Sequence, residues 1–527
     1  ASYRHQSGPG CPPTYSIALL VRAVLVGWLY TLSLRKLEER LYSDLIVRWF
    51  VGCQGGEPIP DHSTLGRFEL WLVHNQPDLY FSTMVSQVDR YFPQERQAIQ
   101  IGDTYAMLAN AADEGLVVRL RHVCLRLTME LQESFAGRFA GSLQGFDWCC
   151  LFGVKPEKSE GLMDKATRAE RLERTVLAAL DFRQRVAQLL AGYDPKQYPI
   201  VCGWCSYLDK VLADEVCVER DQAGQPVKVS ELPADKKGDF RLISATDPEA
   251  TLRMHGEDAA DIALGYNVQL SATPDGCIRA IKAYTGATPD QSGVAALIAE
   301  QKERQHARGE PLQLPPKLIY DKAGGSGKTR AEVEKASDGQ TQLVARQMPY
   351  DQRSARFGPY DFTLSADGKT LTCPHGQSTE VNYRSPVGDG RTFRFPACLC
   401  WADGGVPTRM KTADPALRCP LWEQCRDHRQ GPGAMRQVFI SDYRTQVLAA
   451  EAYNQTDAFR TEMKQRPLIE RVVFELTHYN GARLCRRRGQ LAADFQAKMC
   501  ATAYNLKWLV RKLSRGAPRR SIAALAG

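Results

Sequence analysis

From residue 15 to about 90, apolar residues return every three or four positions, the period of amphipathic helices. The pattern predicts an all-helical segment in which Asp61 or Ser63 caps the helix carrying Leu65, Phe68 and Leu72. At 97–103 the spacing changes to a short apolar run ending in Asp103, which reads as a buried strand. Residues 106–240 return to helical spacing, most clearly in RAERLERTVLAALDFRQRVAQLLAGY. Two strands follow, 265–271 and 277–284, joined by the turn Thr273-Pro274-Asp275-Gly276. A helix over 291–306 leads to the apolar strand 317–320, which delivers Asp321. A last amphipathic helix begins near Pro467, a residue tolerated at a first helical position, and Glu470 falls in its first turn.

Composition narrows the class. A chain of 527 residues with 43% apolar content has room for three or four domains with cores of their own. Sixteen cysteines in so long a chain, irregularly spaced, exclude a small disulfide-stapled fold and fit a reducing compartment. No signal peptide opens the sequence, residues 1–14 read as a loose leader, and the missing initiator Met reads as a trimmed or partial start. The apolar stretch 15–32 is interrupted by Arg22 and runs into RKLEER, so it reads as a core helix, not a membrane span. The net charge of +8 is modest, but between residues 481 and 520 eleven Lys or Arg stand against the single Asp494. Such a density, with Arg483, Arg486, Arg487 and Arg488 at its front, suits a phosphate backbone or, on an isolated helix, a solvated basic face.

Three acids carry the candidate chemistry. Asp103 and Asp321 close apolar strands and Glu470 opens a helix, and carboxylates delivered in this way can hold two hard divalent cations for phosphoryl chemistry. Glu470 also has a simpler explanation, since the helix dipole favours an acid in the first turn. Glu475, about 140° further round the helix, is the other candidate third ligand. After Asp321, AGGSGKT looks like a nucleotide-binding loop, but the glycine required five residues before Gly327 is Lys322. In the polar, Gly-rich stretch 341–440, Cys373, Cys398, Cys419 and Cys425 could form a structural zinc site that holds together a segment poor in apolar surface, with His375 and His428 close by. The alternative is a set of ordinary buried thiols. Cys202 and Cys205 form a further CxxC that reads as structural burial.

The sequence resembles DDE-type transposases of bacterial insertion sequences. The likeness runs through PDHSTLGRF at 60–68 within the N-terminal stretch 30–69, SATDPEATLRMHG at 244–256, LGYNVQLSAT at 264–273 and TGATPDQSG at 285–293, in family order around Asp103, Asp321 and Glu470. Arg466 stands four residues before Glu470, where the family keeps a basic residue; Met463 and Thr477 depart from the Tyr and Lys of several relatives. The resemblance implies an α/β fold, with an RNase H-like mixed sheet flanked by helices. Residues 15–92 would form a helical domain for DNA-end binding or dimerisation. The core would comprise 93–105, 240–340 and 441–513, interrupted by a helical insertion at 106–239 and a cysteine-rich insertion at 341–440, with a basic tail at 514–527. It implies two Mg²⁺ or Mn²⁺ ions on Asp103, Asp321 and Glu470, cleavage of double-stranded DNA at transposon ends and 3′-hydroxyl strand transfer into target DNA. Lys328 and Arg330, with Arg466, Arg483, Arg486, Arg487 and Arg488, are the expected DNA contacts, and a homodimer on the bacterial nucleoid in the cytoplasm is the expected form. A domesticated relative that only binds DNA, and a P-loop ATPase acting on nucleic acid, are the alternative readings.

Overall fold

The computed structural model describes residues 15–53, 56–153, 163–254, 262–347, 356–386, 388–407, 409, 414–426 and 431–516. The expected leader, the tail beyond 516 and His428 lie outside these residues. Two compact units make up the chain: one of Ala1–Arg96, Asp103–Gly293 and Leu468–Gly527, the other of Gln97–Gly102 and Val294–Pro467.

The first unit opens with five helices, α1 (Ile17–Leu29), α2 (Leu34–Ser43), α3 (Leu45–Val51), α4 (His62–Asn75) and α5 (Leu79–Tyr91). Ser16, Ser33, Asp44 and Asp61 each accept a hydrogen bond from a first-turn N–H, so Asp61 and not Ser63 caps α4. Leu20, Leu37, Leu41, Leu65 and Phe68 meet in a core closed to water. No single described helix is long and apolar enough to cross a membrane.

Strand β1 (Gln100–Leu108) begins in the second unit and ends in the first. It does not stop at Asp103, as its charge suggests, but continues to Leu108, because Tyr105 and Met107 keep alternate side chains buried. Four helices follow, α6 (Leu116–Ser142), α7 (Trp148–Phe152), α8 (Lys165–Leu190) and α9 (Pro199–Glu215), around a core that includes Leu120, Leu127, Phe182 and Leu208. Cys205 is buried in this core. A hairpin of β2 (Val216–Arg220) and β3 (Pro226–Glu231) ends this stretch, so it is not wholly helical. Strands β4 (Thr251–Met254), β5 (Ile262–Ala272) and β6 (Ile278–Thr285) then form an antiparallel set, with the expected tight turn at 273–276.

Gly265 is where β5 meets the end of β1. A Cβ at this position would lie 2.1 Å from the Met107 carbonyl oxygen, on backbone that cannot move aside. Gly265→Ala is therefore expected to cost about 3 kcal/mol, the upper end for overpacking, and to show as a lowered urea midpoint. An unchanged midpoint would mean that the two strands are not this close.

In the second unit, α10 (Val294–Ala307) precedes β7 (Lys317–Ile319), α11 (Gly327–Ala336) and β8 (Gln342–Val344). The start of β1 pairs in parallel with β7, Gln100 opposite Leu318 and Ile101 opposite Ile319, and β7 pairs in parallel with β8. Gln100 and Gln301 exchange two buried hydrogen bonds of 2.8 and 2.9 Å that tie β1 to α10. Short strands β9 (Thr363–Leu364), β10 (Leu371–Thr372) and β11 (Ser378–Thr379) form one small antiparallel sheet. A second contains β12 (Asn382–Arg384), β13 (Gly390–Phe395) and, after the one-turn helix α12 (Trp422–Cys425), β14 (Arg436–Ser441). Phe362, Leu371, Phe393, Phe395, Val438 and Ile440 pack between them. This segment, expected to lack apolar support, thus has a core of its own. Helices α13 (Arg444–Asn454) and α14 (Asp457–Met463) complete the unit.

The first unit resumes with α15 (Leu468–Tyr479) and α16 (Gln490–Gly516). Asn505 on α16 accepts from the Ile278 N–H and donates to its carbonyl, which fixes the helix on β6. Across the same strand, Arg279 forms a buried ion pair of 2.7 Å with Asp89 on α5.

Candidate active site

Asp103 is half-buried on β1, and its Oδ1 accepts the N–H of Thr104 at 2.9 Å. A polar network braces the strand at this point. Arg253 on β4, 7% exposed, donates to Thr104 Oγ1 at 2.8 Å and lies 3.6 Å from Asp290. Asp290 Oδ1 accepts from Asn267 at 2.7 Å, while Gln269 donates to the Asp290 carbonyl. Three motifs separated in sequence, around residues 253, 267 and 290, are therefore one hydrogen-bonded assembly beside Asp103. The sequence marked the motifs but not this joint role for Arg253, Asn267 and Asp290. The first motif also grips α16: Asp247 accepts from Tyr266 and the Gly489 N–H, and Glu249 accepts the Gln490 N–H at 2.6 Å. An acid at a helix N-terminus complements the dipole, while burial holds the Asp247 carboxyl above the usual range.

In the second unit, β7 ends at Ile319, and Asp321 stands half-buried just beyond it. Its Oδ1 accepts the Gly324 N–H at 3.2 Å, closing a local turn. A Cβ on Gly325 would lie 2.2 Å from the Arg346 carbonyl oxygen, so the loop is packed against its own unit. Ser326 caps α11 by accepting from the Thr329 N–H, and Gly327 lies under Tyr443 and Val447.

Glu470, back in the first unit, is exposed in the first turn of α15, whose buried face is Ile469, Val472 and Leu476. Glu475 is half-buried, bonded to Arg471 Nε at 3.0 Å and 3.9 Å from Arg511, so it already balances two guanidinium groups. Beside α15 an open groove of about 250 Å³ is lined by Arg471, Trp508, Arg511 and Lys512 among others. Asp103 and Glu470 thus belong to one unit and Asp321 to the other. The donors are hard oxygens of the kind Mg²⁺ takes. Among the described residues, however, no group of three or more His, Cys, Asp or Glu side chains is arranged to hold a metal ion.

Residues 1–69 match the family model described as a transposase domain (DUF772), and residues 413–510 match that of a transposase DDE domain. Both ends of the chain are thus similar to transposase domains, the second of the DDE type. Glu470 lies within the second match, and Asp103 and Asp321 lie in neither. No curated protein and no solved structure matches the chain.

The basic residues of the chain divide by what they touch. Arg330 donates to the carbonyls of Gly325, Leu343 and Ala345, and burial lowers its guanidinium to about 10. Arg486 lies 3.8 Å over the Trp28 ring and donates to the Leu32 carbonyl. Arg487 pairs with the buried Glu69 at 2.7 Å. All three were expected at a DNA backbone; in the structure each guanidinium also has a partner within the fold, at most 15 residues away for Arg330 and more than 400 residues away for Arg486 and Arg487. Arg483 and Arg488 are exposed, Lys328 is exposed with Asp389 3.1 Å away, and Arg466 is half-buried.

Every described cysteine of the chain is free. In the second unit, Cys373, Cys400, Cys419 and Cys425 line a single small cavity, together with His375 and Trp422. Cys398, one of the four expected ligands, is exposed and does not line it. In the C-L-C triplet the chain turns, so the second cysteine faces inward in place of the first.

Proposed function

We propose that this chain is a DDE-type transposase that binds double-stranded DNA at the ends of a mobile element, hydrolyses phosphodiesters there with a divalent metal, and transfers the freed 3′-hydroxyl to target DNA. Asp103, Asp321 and Glu470 are the carboxylates that carry the reaction in this reading. The observation that supports it most is a register. Within the second unit Ile101 pairs with Ile319 on parallel strands, and each aspartate comes two residues after one member of that pair. The third acid lies in the stretch matched as a transposase DDE domain. The element order β1, the β5–β6 pair, α10 and β7 is also the order an RNase H-like sheet requires. Mg²⁺, with Mn²⁺ as a substitute, suits an all-carboxylate set.

DNA contact is assigned to Arg483, Arg488, Lys328 and Arg466 of the expected set, joined by Arg471, Arg511 and Lys512 in the groove beside α15. The reading carries with it at least a homodimer, since transposition joins two ends, and a place on the bacterial nucleoid. A catalytically silent DNA-binding relative is the second reading, favoured by Met463 and Thr477, which stand where several relatives carry Tyr and Lys around Glu470.

The two glutamates of α15 separate these readings. Glu470→Gln is expected to reduce cleavage of element-end DNA by about 10²-fold or more, the scale for losing a group that stabilises developing charge. Glu475→Gln is expected to leave cleavage within a fewfold and to cost about 1 kcal/mol of stability at most, as for a partly exposed ion pair. Initial cleavage rates and urea midpoints measure both. The reverse ranking would transfer the third role to Glu475, and a wild type with no cleavage at all would favour the silent reading.

A further inference from the structure

The cysteine-lined cavity of the second unit holds a combination of groups that packing alone does not explain. Its volume is about 30 Å³, the room of one water or one ion. Four thiols reach it from three separate stretches of chain: Cys373 from the turn after β10, Cys400 from the turn after β13, and Cys419 and Cys425 from the start and end of the segment around α12. Backbone pairing holds two of these stretches together, with the Cys419 N–H donating to the Cys400 carbonyl at 2.9 Å. Cys373 opens a tight turn, in which its carbonyl accepts the Gly376 N–H at 2.8 Å.

Arg426 supplies the decisive observation. It is 2% exposed, its Nη2 donates to Cys400 Sγ at 3.1 Å, its Nη1 donates to the Ala434 carbonyl, and its plane lies 4.7 Å from the Trp422 ring. Among the described residues no carboxylate is paired with it. Burying a guanidinium without an anion is costly, and among the described residues the group bonded to it that can become one is the Cys400 sulfur. Arg436 lines the same cavity. The Arg426 guanidinium at Cys400 is a donor suited to a thiolate.

We propose that Cys373, Cys400, Cys419 and Cys425 bind one Zn²⁺ as a tetrahedral thiolate site whose net negative charge is balanced by Arg426. Four thiolates around a dication leave a charge of about −2, which answers the buried guanidinium directly. The sulfurs line the cavity without meeting at ligating distance, so binding draws them inward, to Zn–S bonds of about 2.3 Å. The segment already has a hydrophobic core, so the ion would fix the loops at one end of it and would not be the condition for its folding. This site needs none of the three carboxylates, and its presence or absence leaves the DNA reaction to be judged separately.

The test uses the full chain. Metal analysis after purification without chelator, followed by reconstitution with Zn²⁺ or Co²⁺ alone, should give about one equivalent of metal per chain, and the cobalt form should show thiolate-to-metal charge-transfer absorption with the intense visible bands of tetrahedral coordination. Cys398→Ser should keep the metal, and Cys400→Ser should lose it. Arg426→Met should weaken zinc affinity by about tenfold or more, as loss of a group bonded to a ligand does. A wild-type chain that takes up neither ion, or a cobalt form without thiolate absorption, would overturn the proposal whatever the variants do. So would retention in Cys400→Ser with loss in Cys398→Ser.

Discussion

Asp103→Asn is expected to lower cleavage of element-end DNA by about 10³-fold or more while leaving end binding within about twofold. The substitution removes a charge and keeps the shape of the side chain. An amide oxygen at the same position can still accept the Thr104 N–H, and the Arg253, Asp290 and Asn267 network that braces the strand is untouched. Binding, which rests on exposed cations, should therefore survive, and only a step that needs the carboxylate should fail. The comparison is an initial cleavage rate against a gel-shift titration at one salt concentration, since affinity for DNA falls steeply with salt. Cutting at the wild-type rate would remove Asp103 from the chemistry, whereas a joint loss of binding and cutting would point to a damaged fold.

The largest effect on stability is expected at Arg279. Its side chain is 3% exposed and that of Asp89 2% exposed, and the pair joins β6 to α5 across the interior of the first unit. Arg279→Ala leaves a carboxylate without its main counter-charge, although Arg96 still lies 3.2 Å away. Breaking a buried pair in this way costs about 3–5 kcal/mol. Adding Asp89→Asn should recover part of that loss, because the stranded charge is the greater share of the penalty. Arg40→Ala, at an exposed helical pair with Asp44, should change stability by less than about 1 kcal/mol. Urea midpoints of the four proteins provide the measurement. An Arg279→Ala midpoint close to wild type would show that the pair is not buried in solution.

Local signals in the sequence located the elements that local chemistry determines. The Thr273–Gly276 turn, the β5–β6 hairpin and the acid that caps α4 depend on residues a few positions apart, and each is where the pattern puts it. The end of β1 was misjudged because a carboxylate looks like a strand terminus, although Tyr105 and Met107 continue the alternation beyond it. The cysteine-rich stretch was judged short of apolar support because its core is assembled from two-residue strands and single aromatic residues, Phe362 to Ile440, too scattered to form a periodic run. The arginine run at 486–488 shows the limit most clearly. A density of positive charge reads as a surface for phosphate, but Arg486 is used on Trp28 and Arg487 on Glu69, partners more than 400 residues earlier that no local pattern can announce. The motif order around Asp103 was legible, whereas the hydrogen bonds that join Arg253, Asn267 and Asp290 required coordinates.

The most direct measurement is cleavage of a plasmid carrying the two ends of the flanking element by the purified chain, with Mg²⁺ and with EDTA. Breaks that fall at the element ends, appear with Mg²⁺ and disappear with EDTA are the result expected of a carboxylate-and-metal transposase. Failure to cut in Mg²⁺ and in Mn²⁺, or cutting that persists unchanged in EDTA, would contradict it.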